Sequence, residues 1–340
     1  MDSARIIATV VFVGSLILLG DAWLKKDQSL VAETTVITSP KQTISTIPQA
    51  TINEISGGSE NQPSSTGAAV TADYIQVTTD VFSAKIDRVG AGIKELVLTQ
   101  HHSKDSKTEA LKLFEIEAGR TYIAEGGLIG KGLPNHNSLF ESGKSEYLLS
   151  AGSKQLSVIL ISDSETARVE KIYTFHRGSY AIDIEYRIEN KTDTVITPNA
   201  YFQLLRDGGG ADGDTKLQPT YTGGAVYSDE TKFTKVDFKD MDRSKVKYPK
   251  IAEDGWVGFV QHYFVAAWLP EPEKSRENFM RSLGNNLYAM GYVEGVTEIA
   301  RKSVGAVSTR LYAGPQEQKV LKSLAPGLNL VVDYGWLTII

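Results

Sequence analysis

The chain has 340 residues and a net charge of -5 at neutral pH, and it contains no cysteine. This acidic balance, without a local Lys/Arg cluster, argues against a nucleic-acid partner, because phosphate binding requires a basic patch. The lack of cysteine excludes a disulfide framework, a thiolate nucleophile and a cysteine metal site. Hydrophobic residues make up 41% of the chain and charged residues 23%, which is typical of a globular domain.

The N-terminus carries a long apolar run over residues 6–24, interrupted only by Asp21. As a helix these residues would span roughly the 30 Å hydrocarbon core of a bilayer. Lys25 and Lys26 follow, where snorkelling cations are favourable. The pattern predicts a transmembrane anchor in residues 1–27. The residues predicted to contact the membrane are Ile6, Phe12, Leu16, Leu19 and Trp23.

A cleaved signal peptide is the alternative, since Gly20 and Ala22 form a weak small-x-small cleavage site. The length of the run and the Trp and Lys residues around its end favour an uncleaved anchor. Residues 28–72 are rich in Ser, Thr, Gln, Pro and Gly and contain no aromatic residue. Such a composition predicts a flexible linker, because it cannot bury enough apolar area to offset the entropy of ordering.

From Tyr74 the pattern changes to period two. Tyr180, Ile182, Ile184, Tyr186 and Ile188 alternate with polar residues, which is typical of a half-buried strand. A similar but less regular face precedes it: Val169, Lys171, Tyr173 and Phe175. Further strands are predicted at residues 74–79, 81–86, 93–98, 156–161, 257–268, 287–292 and 308–312.

Helical periodicity is scarce. The best case is residues 315–324, where Pro315 suits the first helical position and Val320, Leu321 and Leu324 share a face. Many strands with almost no helix predict an all-β fold, a large β-sandwich over residues 73–333 with a short C-terminal helix. The aromatic-led residues 334–340 are interpreted either as a final strand or as the beginning of an interfacial or transmembrane segment.

Several stretches together resemble the periplasmic domain of the YidC-type membrane protein insertases of Gram-negative bacteria. Residues 173–180 resemble that family's central strand–turn–strand, and residues 221–227 its glycine turn. Residues 255–270 are similar to its core strand, and residues 314–336 carry its most specific motifs, Gly-Pro and Leu-Ala-Pro-Gly-Leu-Asn-Leu.

The resemblance implies a β-supersandwich of the galactose mutarotase type, in the periplasm and anchored in the bacterial inner membrane. It implies inner-membrane lipid, nascent membrane proteins and the Sec translocon with its ancillary subunits as partners. Complete members continue into five further transmembrane helices that perform insertion. The portion present in this chain would anchor and dock, with no catalytic residue, cofactor or metal.

Two groups of candidate residues follow from the resemblance. Possible docking residues lie in the charged and aromatic segment 220–268, whose simpler interpretation is a solvated edge hairpin: Tyr227, Lys232, Phe233, Lys235 and Phe238. Residues joining the domain to the membrane, for which packing alone is the simpler interpretation, are Pro315, Leu324, Pro326, Asp333, Tyr334 and Trp336.

An anchored carbohydrate-binding or aldose-epimerase-like domain is the alternative function, and a chaperone-like cleft is a third. An epimerase needs a carboxylate base and a histidine acid with tuned pKa values. His176 is expected to face solvent and His262 to lie in an aromatic strand. His101 and His102 are expected in a polar loop, where adjacent histidines could bind a metal but no third ligand is apparent, and His136 in an unremarkable loop.

Residues 207–214 superficially resemble a calcium loop, with three aspartates among five glycines and alanines. The EF-hand spacing and its closing glutamate are missing, so a mobile loop with at most weak calcium binding is the favoured interpretation.

Overall fold

The computed structural model describes residues 47–48, 73–103, 108–210 and 221–332. The predicted anchor, the predicted linker apart from residues 47–48, and residues 333–340 lie outside the described residues. Within the described part of the chain, no helix is long and apolar enough to cross a membrane.

The described residues form two large β-sheets, and almost all of the strand pairs are antiparallel. The strands of the first half are β1 Tyr74–Thr78, β2 Phe82–Asp87, β3 Ile93–His102, β4 Ala110–Glu117, β5 Arg120–Ile129, β6 Glu141–Ser142, β7 Glu146–Leu148, β8 Gln155–Asp163, β9 Ala167–His176 and β10 Ala181–Asn190. Those of the second half are β11 Asn199–Asp207, β12 Gly223–Tyr227, β13 Thr234–Val236, β14 Ile251–Ala252, β15 Trp256–Gln261, β16 Phe264–Pro270, β17 Arg276–Gly284, β18 Leu287–Gly295 and β19 Val304–Pro315.

One sheet has ten strands in the order β14-β17-β18-β11-β5-β4-β3-β2-β1-β7, and the other has nine in the order β13-β12-β15-β16-β19-β10-β9-β8-β6. The described helices are short: α1 Phe238–Asp242, α2 Gln318–Leu324 and a 3-10 helix, η1, Leu328–Val331. The all-β sandwich with a short C-terminal helix that the sequence predicts is confirmed.

The main core lies between the two sheets. Ile182, Ile184 and Tyr186 of β10 enter it from the nine-stranded sheet, as their period-two spacing predicts. Phe202 of β11 enters it from the ten-stranded sheet and packs its ring 5.4 Å from that of Trp268 and 5.3 Å from that of Tyr292. Aromatic side chains therefore join the two sheets across the interior.

The predicted strand over residues 257–268 is wrong as a single element. The structure has two strands there, β15 and β16, which pair Gln261 with Phe264 across a two-residue turn. All six residues of β15 are buried, and both faces are apolar, so no change in period marks the turn. The turn also lacks glycine and proline, and His262 itself takes the positive φ of +30°.

The predicted helix start at Pro315 is also wrong. Pro315 is the last residue of β19, where it pairs with Phe264, and α2 begins three residues later at Gln318. Likewise His101 and His102 are not in a loop, because they form the end of β3.

The sequence analysis missed β4, β12 and β17, and residues 223–227, compared there with a glycine turn, form strand β12. It also missed β5 and β11, which are neighbours inside the ten-stranded sheet. Every residue of β11 is buried. A strand covered on both faces shows no alternation of apolar and polar residues, so its periodicity cannot reveal it.

Replacing Phe202 by Ala should lower the free energy of unfolding by about 3–5 kcal/mol, because it leaves a cavity among aromatic rings at the centre of the sandwich. Urea denaturation followed by circular dichroism measures the change. The control is Leu139→Ala, whose side chain is 62% exposed, and which should alter stability by less than about 0.5 kcal/mol. Equal losses in the two variants would contradict this account of the core.

Candidate docking and membrane-junction site

A second hydrophobic cluster covers the outer face of the nine-stranded sheet. Strands β12, β15, β16 and β19 supply its sheet side, and the segment containing α2 and η1 supplies its cover. The buried cover residues are Leu321, Leu328 and Val331. Alternate residues of the same strands, such as Val257 and Phe259, belong to the main core. These four strands are therefore apolar on both faces.

Trp256 is at the centre of this second core. Its ring stacks on Tyr227, with centroids 6.5 Å apart and planes inclined by 9°, and lies 6.0 Å from the Phe233 ring. Its indole Nε1 donates a hydrogen bond of 3.2 Å to the carbonyl oxygen of Pro326. Trp256 thus joins the sheet, the segment after β12 and the loop after α2.

Gly327 allows this loop to approach so closely. It has φ +69°, and a Cβ atom there would lie 2.2 Å from the ring of Tyr227. Only glycine satisfies both the left-handed backbone and the contact. Gly327 immediately precedes η1, so the same contact sets the direction of the last described residues.

The start of the covering segment is held by hydrogen bonds. The Tyr312 hydroxyl donates to the Pro315 carbonyl at 2.6 Å. The Gln316 backbone N–H donates to the Tyr263 carbonyl at 2.8 Å, and its side-chain Nε2 donates to the Phe264 carbonyl at 3.0 Å. The segment is consequently fixed at its start by these bonds and near its end by the contacts of Pro326 and Gly327.

The two groups of candidate residues, treated separately in the sequence, meet at Trp256. Tyr227 and Phe233 from the docking group and Leu324 from the junction group all pack in the second core, and Pro326 binds Trp256. Asp333, Tyr334 and Trp336 lie outside the described residues. Trp256 itself was not singled out, because nothing in the sequence distinguishes it from an ordinary core tryptophan.

The other docking candidates are placed differently. The Lys232 side chain is 68% exposed beside the cluster. Lys235 on the edge strand β13 places its Nζ 4.7 Å from the centroid of the Tyr221 ring, a cation–π contact. Phe238 in α1 packs on Tyr288 and Phe259, with ring centroids 4.6 Å and 5.9 Å away. It therefore supports the main core.

A cavity of about 630 Å³ adjoins the second core, between the outer faces of β9, β10 and β19 and the loop Leu324 to Pro326. Asp183 lies in its wall and binds His176 Nε2 at 2.7 Å and Arg310 Nε at 2.6 Å. Burial raises the pKa of Asp183, but these two hydrogen bonds outweigh it and leave the pKa below its ordinary value. His176 lies on the outer face and is partly exposed, as predicted.

His136, expected to be unremarkable, is instead buried and part of a polar cluster. Its Nδ1 lies 2.5 Å from the Tyr201 hydroxyl, and its Nε2 lies 4.0 Å from the Glu125 carboxylate. Burial lowers the pKa of His136 and outweighs the opposing effect of Glu125. The sequence signal for this burial is the glycine-rich loop around His136, because a loop with few side chains can pack flat against a sheet and enclose the residues that it carries.

Glu125 is engaged on both sides, by Lys94 at 3.0 Å and by the Gln203 amide at 2.8 Å. Burial raises the pKa of Glu125, but Lys94 and His136 outweigh it and the pKa lies below its ordinary value. The loop carrying His136 rests on the sheet, since a Cβ at Gly127 would lie 2.6 Å from the Asn135 Cα. A sugar ring has no room between this acid and this base.

Lys171 is the least expected residue of the core. It occupies the inward face of β9, as the sequence pattern indicated, and it is fully enclosed. Its Nζ donates to the Ala91 carbonyl at 2.8 Å and lies 5.1 Å from the centroid of the Tyr186 ring. Burial lowers the pKa of Lys171 to about 7.

The first aspartate of the loop 207–214 is occupied by hydrogen bonds from backbone N–H groups of the chain. Asp207 accepts from the Thr121 N–H through Oδ2 at 2.9 Å and from the Gly209 N–H through Oδ1 at 2.7 Å. Residues 211–220 lie outside the described part. Among the described residues no group of three or more His, Asp or Glu side chains is placed to hold a metal ion.

Comparison with known proteins identifies the family to which this chain belongs. The family model of the YidC periplasmic domain matches residues 74–340, which is the two-sheet domain with its covering segment. The chain therefore belongs to the YidC periplasmic domain family, and the resemblance seen in the sequence is confirmed.

Its curated relatives are longer than this chain. The membrane protein insertase YidC of Nitrosomonas europaea is 38% identical over 362 residues, covering 100% of this chain and 59% of the relative. The protein of the same name from Methylobacillus flagellatus is 40% identical, covering 100% of this chain and 62% of the relative. The chain thus spans about three fifths of the length of the relatives that it matches.

Solved structures also align with the chain. A galactose mutarotase-related enzyme from Lactobacillus acidophilus gives a TM-score of 0.44 at 10% identity, covering 71% of this chain and 97% of that one. A putative aldose 1-epimerase from Escherichia coli gives 0.41 at 8% identity, covering 71% and 98%.

Replacing Trp256 by Ala should detach the covering segment. Hydrogen–deuterium exchange should accelerate at the amides of Leu321, Leu328 and Leu330, which bond within that segment, while the amides of β11 keep their protection. Trp256→Phe, which keeps a ring but loses the bond to Pro326, should fall between. Equal acceleration in both sheets would contradict a separately held segment.

Lys171→Met should remove a pH dependence of stability. With a folded pKa of about 7 and an unfolded pKa near 10.4, the unfolded state binds the extra proton between those values. Stability of the unmodified chain should therefore rise with pH from about 7 to 10, by at most about 1.4 kcal/mol per pH unit, relative to the variant. Urea midpoints at several pH values measure it, and parallel profiles would contradict it.

Proposed function

We propose that this chain is the anchored N-terminal part of a membrane protein insertase, which assists inner-membrane proteins to insert and fold, alone or with the Sec translocon. In this proposal the portion present here anchors and docks and makes or breaks no bond. The observation that carries it is the family match over residues 74–340, supported by relatives named membrane protein insertase that align with 100% of the chain.

The second core supports a mechanical role. Trp256, Gly327 and the bonds around Pro315 fix where the chain leaves the sheet. If residues 334–340 begin an interfacial segment, as the sequence predicts, that segment starts from a rigid platform. The domain would thereby set the position of whatever follows relative to the membrane surface.

The remaining elements of the proposal come from the sequence. The apolar run over residues 6–24 would hold the domain at the inner membrane, with lipid as its partner. The linker over residues 28–72 would let the domain move relative to that anchor. The domain itself would face the periplasm.

Docking to the translocon is proposed at the β13 edge. β13 ends the nine-stranded sheet, and an edge strand exposes unpaired backbone groups that a partner can use. Lys232 and Lys235 lie there beside Phe233 and Tyr227, so cationic and aromatic groups that favour binding occur together.

Photocrosslinking in cells tests this docking. A benzophenone amino acid at Lys232 should form an adduct with a translocon subunit, whereas the same group at Leu148, 67% exposed at the β7 edge of the other sheet, should not. Both positions are exposed, and they lie beside different sheets. Adducts from neither position, or equally from both, would contradict docking at β13.

Polarimetry tests the alternative function, a carbohydrate-binding or aldose-epimerase-like domain. Polarimetry of freshly dissolved glucose or galactose with the full chain should show the uncatalysed rate of mutarotation. A clear acceleration that is abolished by changing His262 would overturn the insertase assignment of this domain.

A further inference from the structure

A second cavity, of about 540 Å³, lies at the edge of the ten-stranded sheet, between β14 and the turns that follow β12 and β16. It adjoins the cavity of about 630 Å³ described above, because Asp254 and Pro272 line both. The two cavities form one groove, which runs from the outer faces of β9 and β10 to the free edge of β14. Only an elongated ligand would occupy both.

The cavity beside β14 is strongly anionic. Four carboxylates and no cationic side chain line it: Glu230, Glu253, Asp254 and Glu273. Within the described part of the chain, none of the four forms an ion pair. Lys250 precedes β14 but is exposed and lines neither cavity. Like charges around one cavity repel each other, so a cation placed among them would be stabilised by all four.

The adjoining cavity does not offset this charge. Arg310 is the one cationic side chain among the described residues that line it, and its Nε is bound to Asp183 at 2.6 Å. Glu271 also lines it and holds Lys274 at 2.5 Å, where both side chains are 47% exposed. The apolar part of the wall includes Ile172, Leu269, Leu324 and Pro326. The groove thus combines apolar walls with an excess of carboxylates.

Strand β14 offers backbone hydrogen-bonding groups to this groove. It is the last strand of the ten-stranded sheet and pairs only with β17. The Asn278 N–H donates to the Lys250 carbonyl at 2.7 Å, so these two residues form a hydrogen-bonded pair. Such pairs alternate along antiparallel strands, and Ile251 therefore directs its N–H and C=O away from β17. Ile251 lines the cavity and is 56% exposed.

The loop that carries Asp254 is held in place before any partner binds. Asp254 Oδ2 accepts a hydrogen bond of 3.0 Å from the Asp229 N–H. The buried guanidinium of Arg276 donates to the carbonyl oxygens of Asp254 and Gly255. A preformed wall of this kind reduces the entropy that a ligand must lose on binding.

We propose that this groove binds an extended, cationic segment of a partner polypeptide, which pairs with the open edge of β14 and places lysine or arginine side chains among the four carboxylates. Main-chain bonds at a sheet edge supply affinity, and side-chain contacts supply specificity. A small cation would leave the backbone of Ile251 unused, and a neutral strand would leave the carboxylates without partners. The site lies on the other sheet from β13 and does not depend on the insertase proposal.

The probe is the peptide Lys-Val-Lys-Val-Lys, acetylated and amidated, with a neutral fluorophore for anisotropy. The protein is the full chain in phosphatidylcholine nanodiscs, with empty nanodiscs as the blank. We expect saturable binding that weakens several-fold from about 0.1 M to 1 M salt, because the Debye length falls from about 10 Å to 3 Å. Glu-Val-Glu-Val-Glu should not bind.

Two double variants of equal net charge test the location. Glu253→Gln with Glu273→Gln should weaken binding about fivefold, the order expected for two exposed ion pairs. Glu146→Gln with Glu165→Gln changes two exposed carboxylates elsewhere, one of them on β7 at the opposite edge of the same sheet. The second variant should bind as the unmodified chain does. Equal weakening in both would mean attraction to net charge alone and would overturn the site.

Two N-methylated peptides test the backbone contact. Alternate N–H groups of an extended chain face opposite sides, so methylation of the two valine amides and methylation of the two later lysine amides remove donors from opposite sides. One of the two peptides should bind at least about fivefold more weakly than the other, as expected for a lost hydrogen bond. Equal affinities would contradict pairing with β14.

The remaining contrary outcomes concern binding itself. A short, charged edge strand can simply protect a protein against association between sheet edges, and absence of saturable binding beyond the blank would assign that role and overturn the proposal. Equal binding of the acidic peptide would also overturn it. Crosslinking at Lys232 can succeed or fail whichever of these results is obtained.

Discussion

Burial of the nine-stranded sheet on both faces is the constraint on which the rest of the structure depends. Strands β12, β15, β16 and β19 present one apolar set to the main core and the alternate set to the second core. Such strands are unstable unless both faces are covered. The ten-stranded sheet covers the inner face, and the segment from Gln316 to Val332 must cover the outer one. The position of the chain's exit from the domain is therefore a consequence of packing.

The same packing leaves no space for a substrate between His136 and Glu125. His136 and Glu125 have partners within the chain, and the loop that carries His136 occupies the space above the sheet. The amino group of Lys171 is buried without water, and a backbone carbonyl oxygen and aromatic ring faces take the place of its hydration. His136 and Lys171 thus hold loops against the sheets.

The open ends of the sandwich behave differently from its faces. At the β13 edge, cations stand beside rings that belong to the second core, and at the β15–β16 turn an exposed tyrosine stands beside an unpaired buried amide. Exposed side chains therefore occur at the margins of the nine-stranded sheet in both places, Lys232 and Lys235 at one and Tyr263 at the other.

The sequence by itself determined the fold class, the half-buried strands such as β10, the inward face containing Lys171 and, through its motifs, the family. These features depend on spacing along the chain, which period-two alternation records directly. Tertiary structure alone decided the turn at His262, the strands β5 and β11, the burial of His136 and the meeting of Tyr227, Phe233 and Leu324 around Trp256. Strands covered on both faces carry no alternating signal, and contacts between distant segments follow from how two sheets pack, which no local pattern encodes.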